Sequence, residues 1–308
     1  MKHLSPLAQG YIYGLIGVVI FGLTLPTTSI AVAEFPPIMV GLGRSIVAAA
    51  LAGLFLFASK ARRPSKAEFK RLALVPIGVV FGFPALTAFA MQTAPAAHGG
   101  VVLGILPLAT AIAAMLVAHE RPSPIFWLWG FVGAAAVITF ALLDGGTEIF
   151  GADLLLLAAV CLAAFGYAQS GVLARSMNGL EVISWALVIS LPILIVIVAL
   201  NIDHINWSAS WQAWASFAYV AIFSQFLGFA FWNKGLALGG ISHVGQTQLF
   251  QIFVTLIGSA ILLGETIHSS TILFALIVVF AVAMGKRAPV LRDVSERKDT
   301  PRRSAAND

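Results

Sequence analysis

Four polar side chains recur at helical spacing in a stretch of chain that is otherwise apolar. Separations of three, four and four residues place on one helical face the side chains of Gln248, Gln251, Thr255 and Ser259. A polar face is costly against lipid, so this stripe is expected to face the interior of a membrane protein. Amides and hydroxyls there predict either hydrogen bonds between helices or a polar wall for a small substrate. We interpret the stripe as one wall of a transport path.

Further polar and aromatic residues extend the predicted substrate-binding set beyond Gln248, Gln251 and Thr255. They lie in four other apolar stretches and are Thr24, Thr87, Tyr167, Gln225, Phe229 and Trp232. Pro26, two residues after Thr24, has no backbone N–H, and a membrane helix tolerates this where the freed backbone lines a cavity or finds other partners. For the aromatic residues, the alternative is a position against lipid.

Arg44 is the one charge deep inside an apolar stretch. It lies seven residues after Pro37, which is roughly 10 Å along a helix. An ionisable residue within the membrane is a functional candidate by default. We nevertheless expect Arg44 to have a structural role, in which its guanidinium binds carbonyls freed in the first helix.

Two glutamates and two histidines lie near the ends of apolar stretches. Glu120 and Glu265 are expected to fix helix ends and short turns rather than to contact substrate. His98 and His243 lie in or beside predicted loops. We expect both histidines to be solvated, with a role as proton relays as the alternative.

Several kinds of chemistry have no support in the sequence. There is no G-x-x-x-x-G-K-[ST] run for nucleotide hydrolysis, and a single cysteine, Cys161, can form neither an intramolecular disulfide nor a cysteine metal cluster. The nearest fragment to a serine hydrolase motif, Gly240–His243, lacks the closing glycine. The sequence therefore predicts no catalytic residue, metal or cofactor, although an intramembrane enzyme and a receptor remain as other classes.

Composition places the chain in a membrane. It is 59% hydrophobic and 10% charged, with a mean hydropathy of +0.95. A helix needs about 20 apolar residues to cross the hydrocarbon core, and ten such spans can be read. Their approximate bounds are 10–33, 37–59, 72–92, 96–118, 124–143, 153–174, 180–200, 212–233, 244–263 and 267–285. We predict an all-α membrane protein with short connections and no soluble domain.

The distribution of charge predicts the orientation. With the N-terminus inside, all 18 Lys and Arg residues except Arg44 fall in inside segments, where basic residues are enriched. The charged residues of the outside segments are all acidic, namely Glu34, Asp144, Glu148, Asp153, Asp203 and Glu265. Both termini are therefore predicted to be cytoplasmic, and the net charge of +5 reflects topology rather than binding to nucleic acid.

The second half of the chain repeats features of the first. His98, Thr110 and Glu120 recur as His243, Thr255 and Glu265, each 145 residues later (243−98, 255−110, 265−120). Five spans separate each residue from its counterpart, and an odd number inverts the second half relative to the first. We predict two inverted five-helix repeats, residues 1–145 and 146–285, followed by a cytoplasmic tail at 286–308 without fixed structure.

A cleavable signal peptide is the alternative for the N-terminus. Lys2 precedes an apolar stretch that ends in Ala31-Val32-Ala33, an A-x-A pattern. The stretch is longer than the ~7–15 apolar residues of a signal peptide. Its removal would also break the five-plus-five match, so we expect it to be the first transmembrane helix.

The run from Ala97 to Arg121, with Pro107 in its middle and a closing Ala-His-Glu-Arg-Pro, resembles the fourth helix of the drug/metabolite transporter superfamily, in its EamA-type ten-helix branch. The run from Gly245 to Glu265, which ends in Leu-Leu-Gly-Glu, is similar to the ninth helix. Arg44 and the pair Gly130-x-x-Gly133 also match the pattern. The sequence departs from it at Ile252, which stands where the first half has Pro107, and in the tenth span, which lacks the glycine pair.

The resemblance implies a secondary transporter of a bacterial inner membrane that exports small metabolites, often amino acids. The residues themselves favour zwitterionic substrates, including aromatic ones, because amides, a hydroxyl and aromatic walls suit them. A broad-specificity drug exporter is the alternative. A nucleotide-sugar carrier would need more interior Lys or Arg than Arg44. The expected partners are the small-molecule substrate and the lipid bilayer, and a monomer fits this expectation.

The acidic residues limit how transport could be driven. Those nearest to mid-span are Glu34, Asp153 and Glu181, and all lie close to span ends. Proton-coupled relatives with an embedded glutamate in the first helix are therefore a poor guide. The sequence favours facilitated diffusion, with coupling through a histidine or a terminal carboxylate as the alternative.

Overall fold

The computed structural model describes residues 4–144, 146–286 and 290–291. This part of the chain is almost entirely helical. One short antiparallel pairing within it joins Arg121–Pro122 to Val290–Leu291. Most of the predicted tail, residues 287–289 and 292–308, lies outside the described residues.

Ten consecutive helical segments make up the described residues. In chain order they are α1 (Pro6–Val32), α2 (Met39–Ala58), α3 (Lys66–Ala90), α4 (Ala96–Ala118), α5 (Pro124–Asp144), α6 (Gly146–Leu173), α7 (Gly179–Ala199), α8 (Trp211–Gly239), α9 (Ile241–Leu263) and α10 (Ser269–Lys286). Eight are long and apolar enough to cross a membrane by length and composition. The remaining two, α5 and α10, have shorter apolar stretches at Pro124–Val137 and Ser269–Ala281. The fold is thus all-helical as predicted, with eight candidate spans instead of ten among the described residues.

Four of these segments contain a break or a π-helical turn. The α1 segment is interrupted at Leu23, three residues before Pro26. π-helical turns occur at Met39–Gly43 in α2, Ile77–Gly82 in α3 and Tyr219–Leu227 in α8. Such turns leave some carbonyls outside the regular hydrogen-bond ladder and are frequent at functional sites.

The helices pack in pairs, and glycines allow the closest approaches. The main pairs are α1 with α8, α3 with α6, α4 with α6, α2 with α7 and α5 with α10. At Gly10 an added Cβ would lie 2.5 Å from the backbone nitrogen of Gly239, and at Gly78 it would lie 2.1 Å from the carbonyl oxygen of Leu162. Small residues at such contacts let membrane helices associate through direct backbone packing.

Two carboxylates connect α4 and α9 at opposite ends. Glu120, just after α4, accepts hydrogen bonds from the backbone nitrogens of Ile241 (3.2 Å) and Ser242 (2.9 Å) at the start of α9. Glu265, just after α9, accepts from those of Ala96 (2.8 Å) and Ala97 (2.9 Å) at the start of α4. The first N–H groups of a helix have no partner within it and favour a negative charge. The glutamate after α9 therefore caps the start of α4, and the glutamate after α4 caps the start of α9.

The two ends of the bundle differ in charge. We call the end with Arg62, Arg71, Glu120 and Arg175 the basic end, where Arg62 lies 2.6 Å from Glu68 and Arg175 lies 3.5 Å from Glu120. The opposite end, with Glu34, Asp153 and Glu265, is the acidic end.

At the acidic end, Glu34 connects the loop after α1 to the start of α8. Its carboxylate accepts hydrogen bonds from the hydroxyl and the backbone nitrogen of Ser210. These bonds hold the pKa of Glu34 below its ordinary value. The interaction therefore stays formed through the neutral pH range and weakens only when acidic pH protonates the carboxylate.

The glycine contacts predict that Gly78→Ala destabilises the protein. The new methyl group would collide with backbone atoms of α6, which cannot rotate away as a side-chain end can. Gly53→Ala in α2 is the matched control, because a Cβ there meets nothing within 4 Å and alanine is favoured over glycine in a helix by roughly 0.5–1 kcal/mol. Thermal unfolding of the detergent-purified variants should show a lower Tm for Gly78→Ala only. Equal Tm values for the two variants would contradict the α3–α6 contact.

Candidate functional site

A small polar cavity lies between helices α1, α2, α3, α6, α8 and α9. Its polar lining consists of Thr24, Arg44, Ser224, Gln225 and Gln251, and its apolar lining of Phe21, Val79, Phe83, Tyr167 and Phe229. The cavity volume is about 10 Å³, which is space for about one water molecule. A metabolite can enter only if the helices around the cavity move apart.

The irregular helical turns position much of this lining. Val79 lies in the π-helical turn of α3, Ser224 and Gln225 lie in that of α8, and Arg44 directly follows that of α2. The side-chain amide of Gln225 donates to the carbonyl of Val79 at 2.8 Å. This bond holds α8 against α3 and fixes the direction of the Gln225 side chain.

A second polar contact crosses the cavity wall between α1 and α8. The hydroxyl oxygens of Thr24 and Ser224 lie 2.8 Å apart, and both side chains are buried. Each hydroxyl thus has a partner while the cavity is closed.

Arg44 and Gln251 line the same cavity with unpaired polar atoms. Arg44 is 1% exposed, and its Nε and Nη1 atoms have no hydrogen-bond partner among the described residues. The side-chain oxygen of Gln251 likewise has none. These two nitrogens therefore do not bind carbonyls freed in the first helix, which was the structural role expected for Arg44.

Aromatic rings form the apolar side of the cavity. Phe21 lies 5.0 Å from Phe229 between ring centroids, and Tyr167 lies 5.9 Å from Phe229. Trp232 packs behind them, 5.3 Å from Tyr167, and is completely buried without reaching the cavity surface. These rings therefore face protein and not lipid, and Trp232 supports the wall from behind.

The polar stripe of α9 has several roles instead of one. Among its members only Gln251 lines the cavity. Gln248 accepts a hydrogen bond from the Thr110 hydroxyl of α4 at 3.4 Å, and Thr255 donates to the carbonyl of Gly22 at 2.7 Å. Gly22 is four residues before Pro26, which has no N–H to donate to that carbonyl. Thr255 thus supplies the hydrogen bond that Pro26 cannot, and it does not line this cavity.

Thr87 also lies away from the cavity. Its hydroxyl donates to the carbonyls of Phe83 (2.7 Å) and Pro84 (3.2 Å) in its own helix. Phe83, one turn earlier, lines the cavity in its place. Of the predicted set, the structure brings Thr24, Tyr167, Gln225, Phe229 and Gln251 together and leaves Gln248, Thr255, Trp232 and Thr87 outside the lining.

The sequence interpretation missed several lining residues, and helical spacing could have found some of them. Phe21 lies three residues before Thr24, and Ser224 lies one residue before Gln225. Val79 and Phe83 are four residues apart in α3, a spacing that places both on one helical face. Apolar residues carry no distinguishing signal in a chain of this composition, so the sequence does not single out Val79 and Phe83.

His98 is buried rather than solvated, which corrects the sequence expectation. The α4 helix begins at Ala96, so His98 lies in its first turn, where Nε2 is 2.8 Å from a carboxylate oxygen of Asp153 in α6. His243 is half-buried near the start of α9. Among the described residues there is no group of three or more His, Cys, Asp or Glu side chains that could hold a metal ion.

The fold and the cavity define a polytopic helical membrane protein with a buried polar site between its helices. The EamA-like transporter family matches the chain twice, at residues 8–142 and 150–285. The chain belongs to this family, and it therefore contains two EamA repeats. This membership indicates a membrane transporter and not an enzyme.

Two relatives and a solved structure agree with this assignment. The chain is 40% identical over 280 residues to the uncharacterized transporter YdeK of Bacillus subtilis strain 168, covering 91% of this chain and 97% of that protein. It is 26% identical over 298 residues to the uncharacterized transporter YyaM of the same organism, covering 92% and 93%. A protein crystal structure at 17% identity superposes with a TM-score of 0.67 and covers 91% of this chain and 97% of the other. This last similarity shows the fold alone.

The Thr255–Gly22 hydrogen bond predicts a stability effect that depends on Pro26. Thr255→Val leaves the Gly22 carbonyl without its donor and should reduce the free energy of unfolding by about 1 kcal/mol. Pro26→Ala restores a backbone N–H for the same carbonyl, so the cost of Thr255→Val should shrink in the double variant.

Unfolding of the two single variants and the double variant in detergent measures this coupling. Ser259→Ala is the control on the same face of α9, because the Ser259 hydroxyl has no partner among the described residues and its removal should have little effect. Strictly additive effects of Thr255→Val and Pro26→Ala would show that Thr255 does not compensate for Pro26.

Proposed function

We propose that the protein is an inner-membrane exporter of small zwitterionic metabolites, including amino acids with aromatic or apolar side chains. The observation that carries this proposal is the division of one cavity into a polar and an aromatic side. Arg44 and Gln251 offer unpaired hydrogen-bonding atoms, whereas Phe21, Phe229 and Tyr167 offer an apolar wall. A molecule with a charged head and an apolar body matches both sides.

We further propose that ten helices cross the membrane as two inverted repeats, residues 1–145 and 146–285. The reciprocal contacts of α4 and α9 support this arrangement, because their residues obey one offset. Ala96 and Ile241, Ala97 and Ser242, and Glu120 and Glu265 are each 145 residues apart (241−96, 242−97, 265−120). The packed pairs support it as well, because α1 packs against α8 and their counterparts five helices away, α6 and α3, pack against each other.

Transport in this proposal proceeds by alternating access. The cavity holds about one water molecule, so the helices around it must separate toward one side at a time. Repeats of opposite orientation give two related ways of opening around one site. Since the cavity lining contains one charged residue, Arg44, and no acidic one, the proposal includes facilitated diffusion without an obligatory proton.

Counterflow in proteoliposomes tests this function. Proteoliposomes that contain the wild-type protein and are loaded with an unlabelled aromatic amino acid should take up the labelled form. This uptake should persist with a protonophore. Gln251→Leu nearly conserves volume but leaves a polar group of the substrate unpaired, so affinity should fall about 5- to 150-fold. Absence of counterflow for every amino acid tried would reject the proposed function, and loss under the protonophore would reject uncoupled transport.

Gln246→Leu is the matched control for that experiment. Gln246 lies at the start of the same helix and is also buried with an unpaired amide. It lines a different cavity, between α9 and α10, together with Phe250 and Val279. Transport by Gln246→Leu should therefore be unchanged, and equal losses for Gln246→Leu and Gln251→Leu would show that the site is misplaced.

The basic end is proposed to face the cytoplasm, with both chain termini on that side. In a Cys161→Ser background, single cysteines at positions 62–66 should react with an impermeant maleimide only from the cytoplasm. Cysteines at positions 146–150 should react only from outside. Labelling of both groups from the same side would overturn the proposed orientation and the inverted repeat with it.

A further inference from the structure

We propose that Arg44 is the residue that binds the carboxylate of the transported molecule, with the side-chain oxygen of Gln251 accepting hydrogen bonds from its ammonium group. This inference rests on the proposed function and specifies how the substrate is held. It assigns to Arg44 a binding role in place of the structural one that its position alone would favour.

The first argument is the isolation of the Arg44 charge. A buried ion is costly unless it is paired and hydrogen-bonded. Arg44 is 1% exposed and has two unpaired nitrogens, and neither Asp nor Glu lines the cavity beside it. The described ion pairs with acidic partners involve Arg62, His98 and Arg175 instead. An anion that enters the cavity would supply the missing partner.

The second argument is that the unpaired nitrogens of Arg44 do not bind the carbonyls at the break in α1. A structural arginine at this depth would bind carbonyls freed by the break in α1. The carbonyl of Gly22, which Pro26 leaves free, already accepts the hydroxyl of Thr255. Nε and Nη1 therefore remain without a partner in a residue that lines the cavity, and the planar donors of a guanidinium suit a carboxylate or a similar oxyanion.

The third argument is the complementary chemistry of Gln251. Its unpaired side-chain oxygen can accept an N–H, whereas Arg44 can only donate. The two residues reach the cavity from different helices, α9 and α2. The cavity therefore offers a positive donor for a carboxylate, a neutral acceptor for an ammonium group, and aromatic rings for an apolar side chain.

The test uses three probes that share a phenyl ring and differ in charge. L-phenylalanine has both charged groups, 3-phenylpropionate lacks the ammonium group, and 2-phenylethylamine lacks the carboxylate. With the wild type, 3-phenylpropionate should raise the Tm and compete with labelled L-phenylalanine in counterflow, whereas 2-phenylethylamine should be at least about 10-fold weaker. Equal effects of the two single-charge probes would overturn the inference without any variant.

Variants then assign the carboxylate preference to one residue. Arg44→Gln should weaken L-phenylalanine and 3-phenylpropionate about 10- to 150-fold, the range for a lost charged hydrogen bond, and should abolish the preference over 2-phenylethylamine. Arg44→Lys should retain part of it. Arg63→Gln is the matched control, because Arg63 is exposed in the loop between α2 and α3, and it should behave as wild type.

The outcomes separate the inference from the proposed function. If the wild type catalyses no counterflow but 3-phenylpropionate raises the Tm of the wild type and not of Arg44→Gln, the function fails and the anion site stands. If wild-type counterflow works but folded Arg44→Gln keeps the carboxylate preference, the function stands and the inference fails. If Arg44→Gln does not fold, Arg44→Lys decides: a preference for 3-phenylpropionate over 2-phenylethylamine that is smaller than in the wild type supports the inference, and an unchanged preference overturns it.

Discussion

The arrangement of this bundle depends on two carboxylates that each cap the start of the opposite helix. Glu120 and Glu265 accept hydrogen bonds from backbone N–H groups that would otherwise be unpaired in an apolar environment. Their negative charge is also favourable at a helix N-terminus. Because the contacts lie at opposite ends, they set both the antiparallel direction of α4 and α9 and their register. Gln251 lies on α9, so its position facing the cavity follows from these contacts.

Hydrogen-bond pairing also identifies polar groups that hold the helices together. Where a backbone group is freed or unpaired, the chain supplies a donor or acceptor, as Thr255 does for Gly22 and Gln225 does for Val79. Other buried polar atoms have no partner among the described residues, and of these residues Arg44 and Gln251 line the cavity. Unsatisfied buried polar atoms are costly and require an explanation, and a polar substrate is the one that the proposed function provides.

The helical character and most helix positions followed from composition and apolar length alone, because both are properties of local sequence. The site was only partly predictable. Helical spacing placed Gln251 and Thr255 on one face correctly, but their partners lie on other helices, and spacing along α9 cannot reveal that Gly22 faces Thr255. His98 was misjudged for a related reason: α4 starts before it, and Asp153 approaches from α6. Which partner meets a polar residue is decided by packing between helices.

In the proposed repeat, the two halves match at the capping glutamates but differ at the residues that line the cavity. The capping residues Glu120 and Glu265 are the same amino acid 145 positions apart, whereas the counterpart of Gln251 at that offset is Leu106 (251−145). Likewise α7, the counterpart of α2, contains no basic residue to match Arg44. A site with two-fold symmetry would bind a substrate equally well in two opposite directions. In the proposed transport cycle, the donor and the acceptor occupy unmatched positions and would hold a dipolar molecule in one direction, while the symmetric scaffold would open to either side around it.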